Sequence, residues 1–280
     1  GALIAKGIIY GGFPYKVFSH LYNACVQPVI DYGSHVWGHK VFQCIEAVQN
    51  RALRYFMGVG KRAPVAALLG DMGWSMQGER QWITVARQWC RLSNMNGDRI
   101  NSRIHRWSMN CVSRGIKSSA SKVISFFHSI GLPCITGDID GTVPRFQHIK
   151  EMITSRLKEH FTLEWKKKLS RETASVGTGR NKLRTYRLFK LEYGPESYVT
   201  APLSRHQRRS MAKFRAGTAP IRVETGRYTN EPEEQRLCRY CDDNAIENEI
   251  HVLIDCPCYL KTVAKTCANI LDFRSFMVLT

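Results

Sequence analysis

The sequence predicts a mainly α fold that ends in a small metal-stapled module. Three observations carry this expectation. Apolar residues recur at intervals of three and four through most of the chain up to Arg215, the period of one helix face. Proline and glycine punctuate these segments, which show no strand-like alternation. Near the C-terminal end, Cys238, Cys241, His251 and Cys256 stand at the spacing of a four-ligand metal site.

Residues 14–57 read as two helices. The first carries Val17, Phe18, Leu21, Tyr22 and Cys25 on one face and is expected to end at Pro28, which has no N–H to donate. Residues 31–38 read as a loop rich in large aromatics. The second helix turns Phe42, Ile45, Val48, Ala52, Leu53 and Phe56 inward and Arg51 and Arg54 outward, and Gly58 and Gly60 stop it. A short helix is expected over residues 64–69, then a turn at Gly70-Asp71-Met72-Gly73-Trp74. Residues 78–95 form an amphipathic helix with Trp82, Val85, Ala86, Trp89 and Leu92 inward. Ile100, Ile104, Trp107 and Cys111 continue the helical period and read as further core.

Another short helix is expected over residues 123–130, and the Gly- and Pro-rich stretch 131–144 marks a boundary. The longest candidate, residues 146–169, turns Phe146, Ile149, Ile153, Leu157, Phe161, Trp165 and Leu169 inward. Residues 170–182 read as a loop. Ser204 is a suitable N-cap for a helix over 204–216, and residues 220–224 read as a short strand. The expected organisation is a helical region over 1–135, a basic helical segment over 136–230, the metal module over 231–260 and a C-terminal helix or tail over 261–280. The chain starts at Gly1 without Met and reads as a portion of something longer.

Charge narrows the function. The chain has 280 residues and a formal net charge of +18. That balance favours polyanion partners, through long-range attraction and counterion release. Arginine outnumbers lysine, and its planar fork grips phosphate and stacks on bases. The basic charge concentrates between Arg145 and Arg215, which hold 18 Lys or Arg against 6 Glu. Candidate nucleic-acid contacts there are Lys166, Lys167, Lys168, Arg184, Arg187, Arg205, Arg208, Arg209 and Arg215, with Arg51 and Arg54 upstream. Tyr186 and Phe189 are interleaved as possible stacking rings. Ten cysteines in a chain of this length are too sparse for a disulfide scaffold, and no apolar run is long enough to span a membrane. Reduced thiols or metal ligands in a cytoplasmic or nuclear setting are expected.

The pair Cys238-x2-Cys241 pinches a metal from one tight turn, and His251 with a downstream Cys supplies the other half from a second. Such a sulfur-rich, closed set suits a structural Zn2+. Cys256 and Cys258 both lie within reach of the fourth position. The segment from Glu231 to Cys256 is acidic, with 8 acids against 2 Arg, so the module is expected to staple the fold and not to be the main nucleic-acid contact, with Arg236 and Arg239 left for one or two local contacts. Tyr240-Cys241-Asp242-Asp243 matches the Tyr-x-Asp-Asp signature of reverse transcriptases. Its flanks are not apolar strands and Cys241 is committed to metal, so the match reads as a coincidence.

Several segments resemble the region after the polymerase core of LINE-type non-LTR retrotransposon proteins. They include Leu21-Tyr22-Asn23-Ala24-Cys25-Val26-Gln27-Pro28-Val29-Ile30-Asp31-Tyr32-Gly33, Val36-Trp37-Gly38, Gln49-Asn50-Arg51-Ala52-Leu53-Arg54-Tyr55-Phe56-Met57-Gly58-Val59 and Gly70-Asp71-Met72-Gly73-Trp74. Leu183-Arg184-Thr185-Tyr186-Arg187 and Lys213-Phe214-Arg215-Ala216-Gly217 follow. The chain then runs through Val223-Glu224-Thr225-Gly226-Arg227-Tyr228 into the Cys-Cys-His-Cys set, with Glu249-Ile250-His251 and Cys256-Pro257 as the family places them. The order of these segments covers roughly residues 1 to 260.

The resemblance implies a thumb over residues 15–57 that holds a template–primer duplex, and Cys256 as the fourth ligand. It implies RNA or an RNA–DNA hybrid as partner, together with the upstream polymerase region. No fingers or palm precede these residues here, so the chain is expected to have no polymerase activity alone. Two alternatives stand beside this one. One is a host-domesticated zinc protein with a protein partner. The other is a residual nuclease using Asp138 and Asp140.

Overall fold

The computed structural model describes residues 12–136, 142–173 and 182–261. It is mainly helical, as expected, and the bridge between Leu237 and Ile246 is the only β pairing among the described residues. Asp138 and Asp140 lie outside these residues, as do the expected tail from 262 onward and most of the expected loop 170–182. The chain divides into two compact units, each assembled from separate stretches. One comprises Gly1–His20, Asn50–Trp74 and Trp165–Thr280, and the other comprises Leu21–Gln49 and Ser75–Glu164.

In chain order the helices are α1 Tyr15–Leu21, α2 Gln27–Asp31, α3 Ser34–Trp37, α4 Gln43–Met57, α5 Val65–Met72, α6 Gln77–Ser93 and α7 Ile100–Ser113. After these come α8 Ser119–Ser129, α9 Phe146–Thr173, α10 Tyr186–Phe189, α11 Ser197–Thr200, α12 Arg205–Arg215 and α13 Arg222–Thr225.

Several expectations are corrected. Pro28 does not end its helix. A π turn over Tyr22–Val26 widens the ladder, the Gln27 N–H reaches the Tyr22 carbonyl, and Pro28 then sits in the first turn of α2, where its missing N–H costs little. The aromatic loop contains α3, entered through Gly33 in the left-handed region. The turn at residues 70–74 is shorter than expected, because α5 runs on to Met72 and only Gly73 (φ 61°) breaks it. The expected strand at 220–224 is the helical turn α13: the N–H groups of Glu224 and Thr225 both bond the Ile221 carbonyl.

In the second unit, α6 is the central helix. Trp82, Val85, Ala86, Trp89 and Cys90 face a core completed by Ala120, Val123 and Phe127 of α8 and by Ile153 and Leu157 of α9. Trp82 stacks on Phe126 at 3.8 Å and meets Phe127 edge-on. Each large apolar side chain buried this way stabilises by roughly 1.5–3 kcal/mol. Ser118 and Ser121 close a reciprocal capping box at the start of α8. Helix α7 departs from expectation. It forms where the period requires and buries Cys111, yet Ile100, Ile104 and Trp107 are 70%, 57% and 68% exposed.

In the first unit, α5 is buried along almost its whole length. Gly70 admits close neighbours, since a Cβ there would fall 2.6 Å from both the Trp165 ring and the Tyr186 hydroxyl. Trp165 donates its indole N–H to the Ala66 carbonyl at 2.7 Å. Phe18 lies stacked against Phe56 and Trp74, which secures α1 on the end of α4.

Candidate functional site

Asp71 is the polar centre of the first unit. Its carboxylate is 2% exposed and accepts four hydrogen bonds. Arg215 donates Nε to Oδ2 at 2.8 Å and Nη2 to Oδ1 at 2.9 Å, while Tyr198 and Tyr186 donate their hydroxyls at 2.7 Å and 2.9 Å. The Arg215 guanidinium also lies over the Phe189 ring at 4.6 Å and pairs with Glu196 at 3.2 Å. Burial is the largest influence on Arg215 and opposes its charge. The Asp71 carboxylate overrides it and holds the guanidinium firmly charged. Burial and the same carboxylate push both tyrosine pKa values well up, so the hydroxyls stay protonated as donors.

Arg215 is therefore a core residue and not the surface contact expected of it. Two more candidates have internal roles. Arg208 is buried, lies 4.1 Å over the Phe56 ring and bonds the Leu203 carbonyl. Arg184 clasps Glu249 through two donors, Nε at 3.0 Å and Nη2 at 2.5 Å. Of the remaining candidates, Arg51 and Arg209 are exposed and Arg54 and Arg205 are half-buried. Lys166, Lys167 and Lys168 are exposed on α9 beside the buried Trp165, and Arg187 is exposed on α10.

Arg51, Arg54, Arg205 and Arg209, from distant parts of the sequence, lie on two helices that touch. Arg205 of α12 lies over the Tyr55 ring of α4 at 5.5 Å. A Cβ built on Gly58, at the end of α4, would sit 3.1 Å from the Arg209 side chain. Arg51, Tyr55 and Gly58 are spaced as neighbours on one helix face, and Arg54 stands one turn before Gly58. Among the described residues none of these four arginines is in an ion pair, whereas Arg184, Arg215, Arg222 and Arg227 all are. Burial lowers the Arg54 pKa, as it does that of Arg208, where Arg205 adds repulsion. Ser204 caps the start of α12, as the sequence suggests, and Gln207 completes a capping box with it. Tyr55, the ring beneath Arg205, was not singled out from sequence; an aromatic next to an outward arginine on a helix was the available signal.

The metal-type group assembles from two turns. The Cys238 N–H bonds the Ala245 carbonyl at 2.8 Å beside the Leu237–Ile246 bridge, which folds the Cys238–Cys241 knuckle. The Asn248 side chain accepts the His251 N–H at 2.8 Å, and a π turn over His251–Asp255 closes with the Cys256 N–H on the His251 carbonyl. The ligand atoms of Cys238, Cys241, His251 and Cys256 all lie within 4.8 Å of one another, so the group could hold a metal ion. Cys238 and Cys256 sulfurs are 3.9 Å apart, and Cys241 Sγ is 3.3 Å from His251 Nε2. Cys258 stands outside the group, exposed, with its thiol on the Tyr240 carbonyl at 2.7 Å. Asp242 and Asp243 are exposed in the turn between the bridged residues.

Links through Arg184, a shared apolar core and Arg236 join this module to the rest of its unit. Arg184 reaches Glu249, two residues before the histidine. A small core of Ala219, Ile221, Val223 and Val252 also takes in Phe214 of α12. Buried Arg236 ties the module inward as well, donating to the carbonyls of Val223 and Glu231.

No protein-family model, curated protein or solved structure matches this chain. Among the described residues no helix is long and apolar enough to cross a membrane.

Proposed function

We propose that this chain is the nucleic-acid-binding C-terminal portion of a LINE-type retrotransposon RNA-directed DNA polymerase. It holds template RNA or an RNA–DNA hybrid and carries one structural zinc. The observation that carries this reading is the cluster of Arg51, Arg54, Arg205 and Arg209, which has no acidic partner among the described residues. These side chains stand on two helices that touch, and with no acid paired to them among the described residues they favour an anion alongside. A phosphate backbone supplies regularly spaced anions for these arginines. Lys166, Lys167, Lys168 and Arg187 add further exposed basic charge.

Zinc suits the Cys-Cys-His-Cys group. A tetrahedral zinc with ordinary bond lengths keeps two sulfurs about 3.8 Å apart and a sulfur and nitrogen about 3.6 Å apart. The observed 3.9 Å and 3.3 Å are close to both. Cys238, Cys241, His251 and Cys256 fill all four positions, so the metal supplies folding energy and leaves no site for a reacting water. In this reading polymerisation belongs to the upstream polymerase region, which is a partner of this chain in the cytoplasm and nucleus. Asp242 and Asp243 take no part in it.

Gel mobility of a labelled RNA–DNA hybrid tests the proposal. The wild-type chain is expected to shift it, and a chain carrying Arg51→Gln, Arg205→Gln and Arg209→Gln is expected to shift it weakly. Equal retardation by the two would remove the cluster from the reading.

A further inference from the structure

We propose that the outer face of α7 docks an acidic amphipathic helix from a protein partner. The face is a stripe: Ile100, Ile104 and Trp107 stand at i, i+4 and i+7 and are 70%, 57% and 68% exposed. Val36 of α3, 68% exposed, joins Ile104 on the wall of a hollow of about 400 Å³ floored by Trp89 and Leu92. Trp107 borders a second hollow of about 530 Å³ together with Arg103 and Arg106. Contiguous large apolar side chains left in water mark an interaction surface, and anchors at helical spacing beside a groove suit a helical partner.

Charge selects the occupant. From Asp98 to Lys117 the chain carries Arg99, Arg103, Arg106, Arg114 and Lys117 against Asp98 alone. Among the described residues, Arg99, Arg103 and Arg106 are in no ion pair; Arg106 donates to the Gly97 carbonyl, a neutral acceptor. A partner with an apolar face flanked by Asp or Glu would cover the stripe and neutralise its rim. A second copy of this chain fits badly, because a two-fold contact would set each arginine row against its counterpart. Single-stranded nucleic acid fits only Trp107, since Ile100, Ile104 and Val36 offer no ring face for a base to stack on. The inference holds whether or not the α4–α12 arginines bind RNA.

The probe is a labelled synthetic peptide of about four helical turns, with Leu along one face and Glu elsewhere, followed by fluorescence anisotropy. A peptide of the same composition with its leucines scattered is the control. Saturable binding of the amphipathic peptide alone is expected. Ile104→Ser and Trp107→Ser should each weaken it by about tenfold, and Arg103→Glu with Arg106→Glu should weaken it as well. All four positions are on the surface, so each variant should keep the far-UV circular dichroism and thermal midpoint of the parent; any that does not is replaced by Ile100→Ser. Equal binding of the control peptide, or unchanged affinity in folded Ile104→Ser and Trp107→Ser, overturns the proposal. A dimer in sedimentation that Trp107→Ser abolishes would assign the face to a second copy, and loss of oligonucleotide binding on Trp107→Ser would assign it to nucleic acid. Either result also overturns it.

Discussion

Arg215 grips Asp71 through two parallel hydrogen bonds across 144 residues of sequence, and both side chains are almost wholly buried. The pair joins the end of α12 to α5, and the hydroxyls of Tyr186 and Tyr198 complete the carboxylate's shell.

Removing one partner strands the other. Asp71→Asn or Arg215→Met is expected to cost roughly 3–5 kcal/mol of stability, because an uncompensated charge or an unsatisfied donor is left in the interior. Arg215→Lys should not rescue the fold, since a single ammonium cannot reproduce the fork. Replacing both members by Leu and Met should recover only part of the loss, because Tyr186 and Tyr198 still need an acceptor. Urea denaturation of the four variants checks this ordering. A loss below about 1 kcal/mol for either single change, the size of a surface pair, would contradict the assigned role.

Metal content separates the two candidate fourth ligands. Cys258→Ser should keep one zinc per chain, and Cys256→Ser should lose it. Removing the metal through Cys238→Ala is expected to loosen residues 236–258, because their apolar core is too small to order them alone. The loosening should spread to Phe214 and Val223, which share that core. The other end of α12 is held by Tyr55 and Phe56 and should stay protected. Hydrogen exchange with metal analysis distinguishes these outcomes; uniform loss of protection along α12 would make the metal the keystone of the whole unit.

Acid should weaken the second unit. His105 is partly buried against the edge of Trp89, with Ser93 Oγ 3.1 Å away, and burial holds its pKa below the ordinary 6.5. His39 shifts the same way, first by burial and then through Lys40. The unfolded chain therefore takes up protons that the folded imidazoles refuse. The stability these rings contribute is complete above about pH 6.5 and falls as the pH drops through that value. The thermal midpoint should decline from about pH 7 to about pH 5, and less steeply in His105→Gln. Superimposable profiles would mean that His105 does not report on folding.

Sequence and structure part company in particular places. The N-cap Ser204 and the Cys238–Cys241 pair were legible because each depends on spacing over a few residues, whereas spacing alone left Cys256 and Cys258 both open as the fourth ligand. The exposure of Ile100, Ile104 and Trp107 was not, since a helical period shows that a face is apolar without showing that anything in the chain covers it. Pro28 misled because the π turn that accommodates it has no residue signature. Asp71 read as a turn residue, and its partner lies far along the chain. The usable signal was a lone carboxylate in the apolar run Val65–Met72, which calls for a buried cation.

The most direct test of the central claim is the salt dependence of affinity for an RNA–DNA hybrid. A log–log plot of association constant against salt should fall steeply for the wild-type chain, and Arg51→Gln, Arg205→Gln and Arg209→Gln should each flatten the slope by roughly 0.7–0.9. Trp107→Ser should leave the slope as it is. If the triple variant keeps the wild-type slope, or if the wild-type chain shows no salt-dependent binding, the α4–α12 arginines are not a phosphate-binding surface and the account fails.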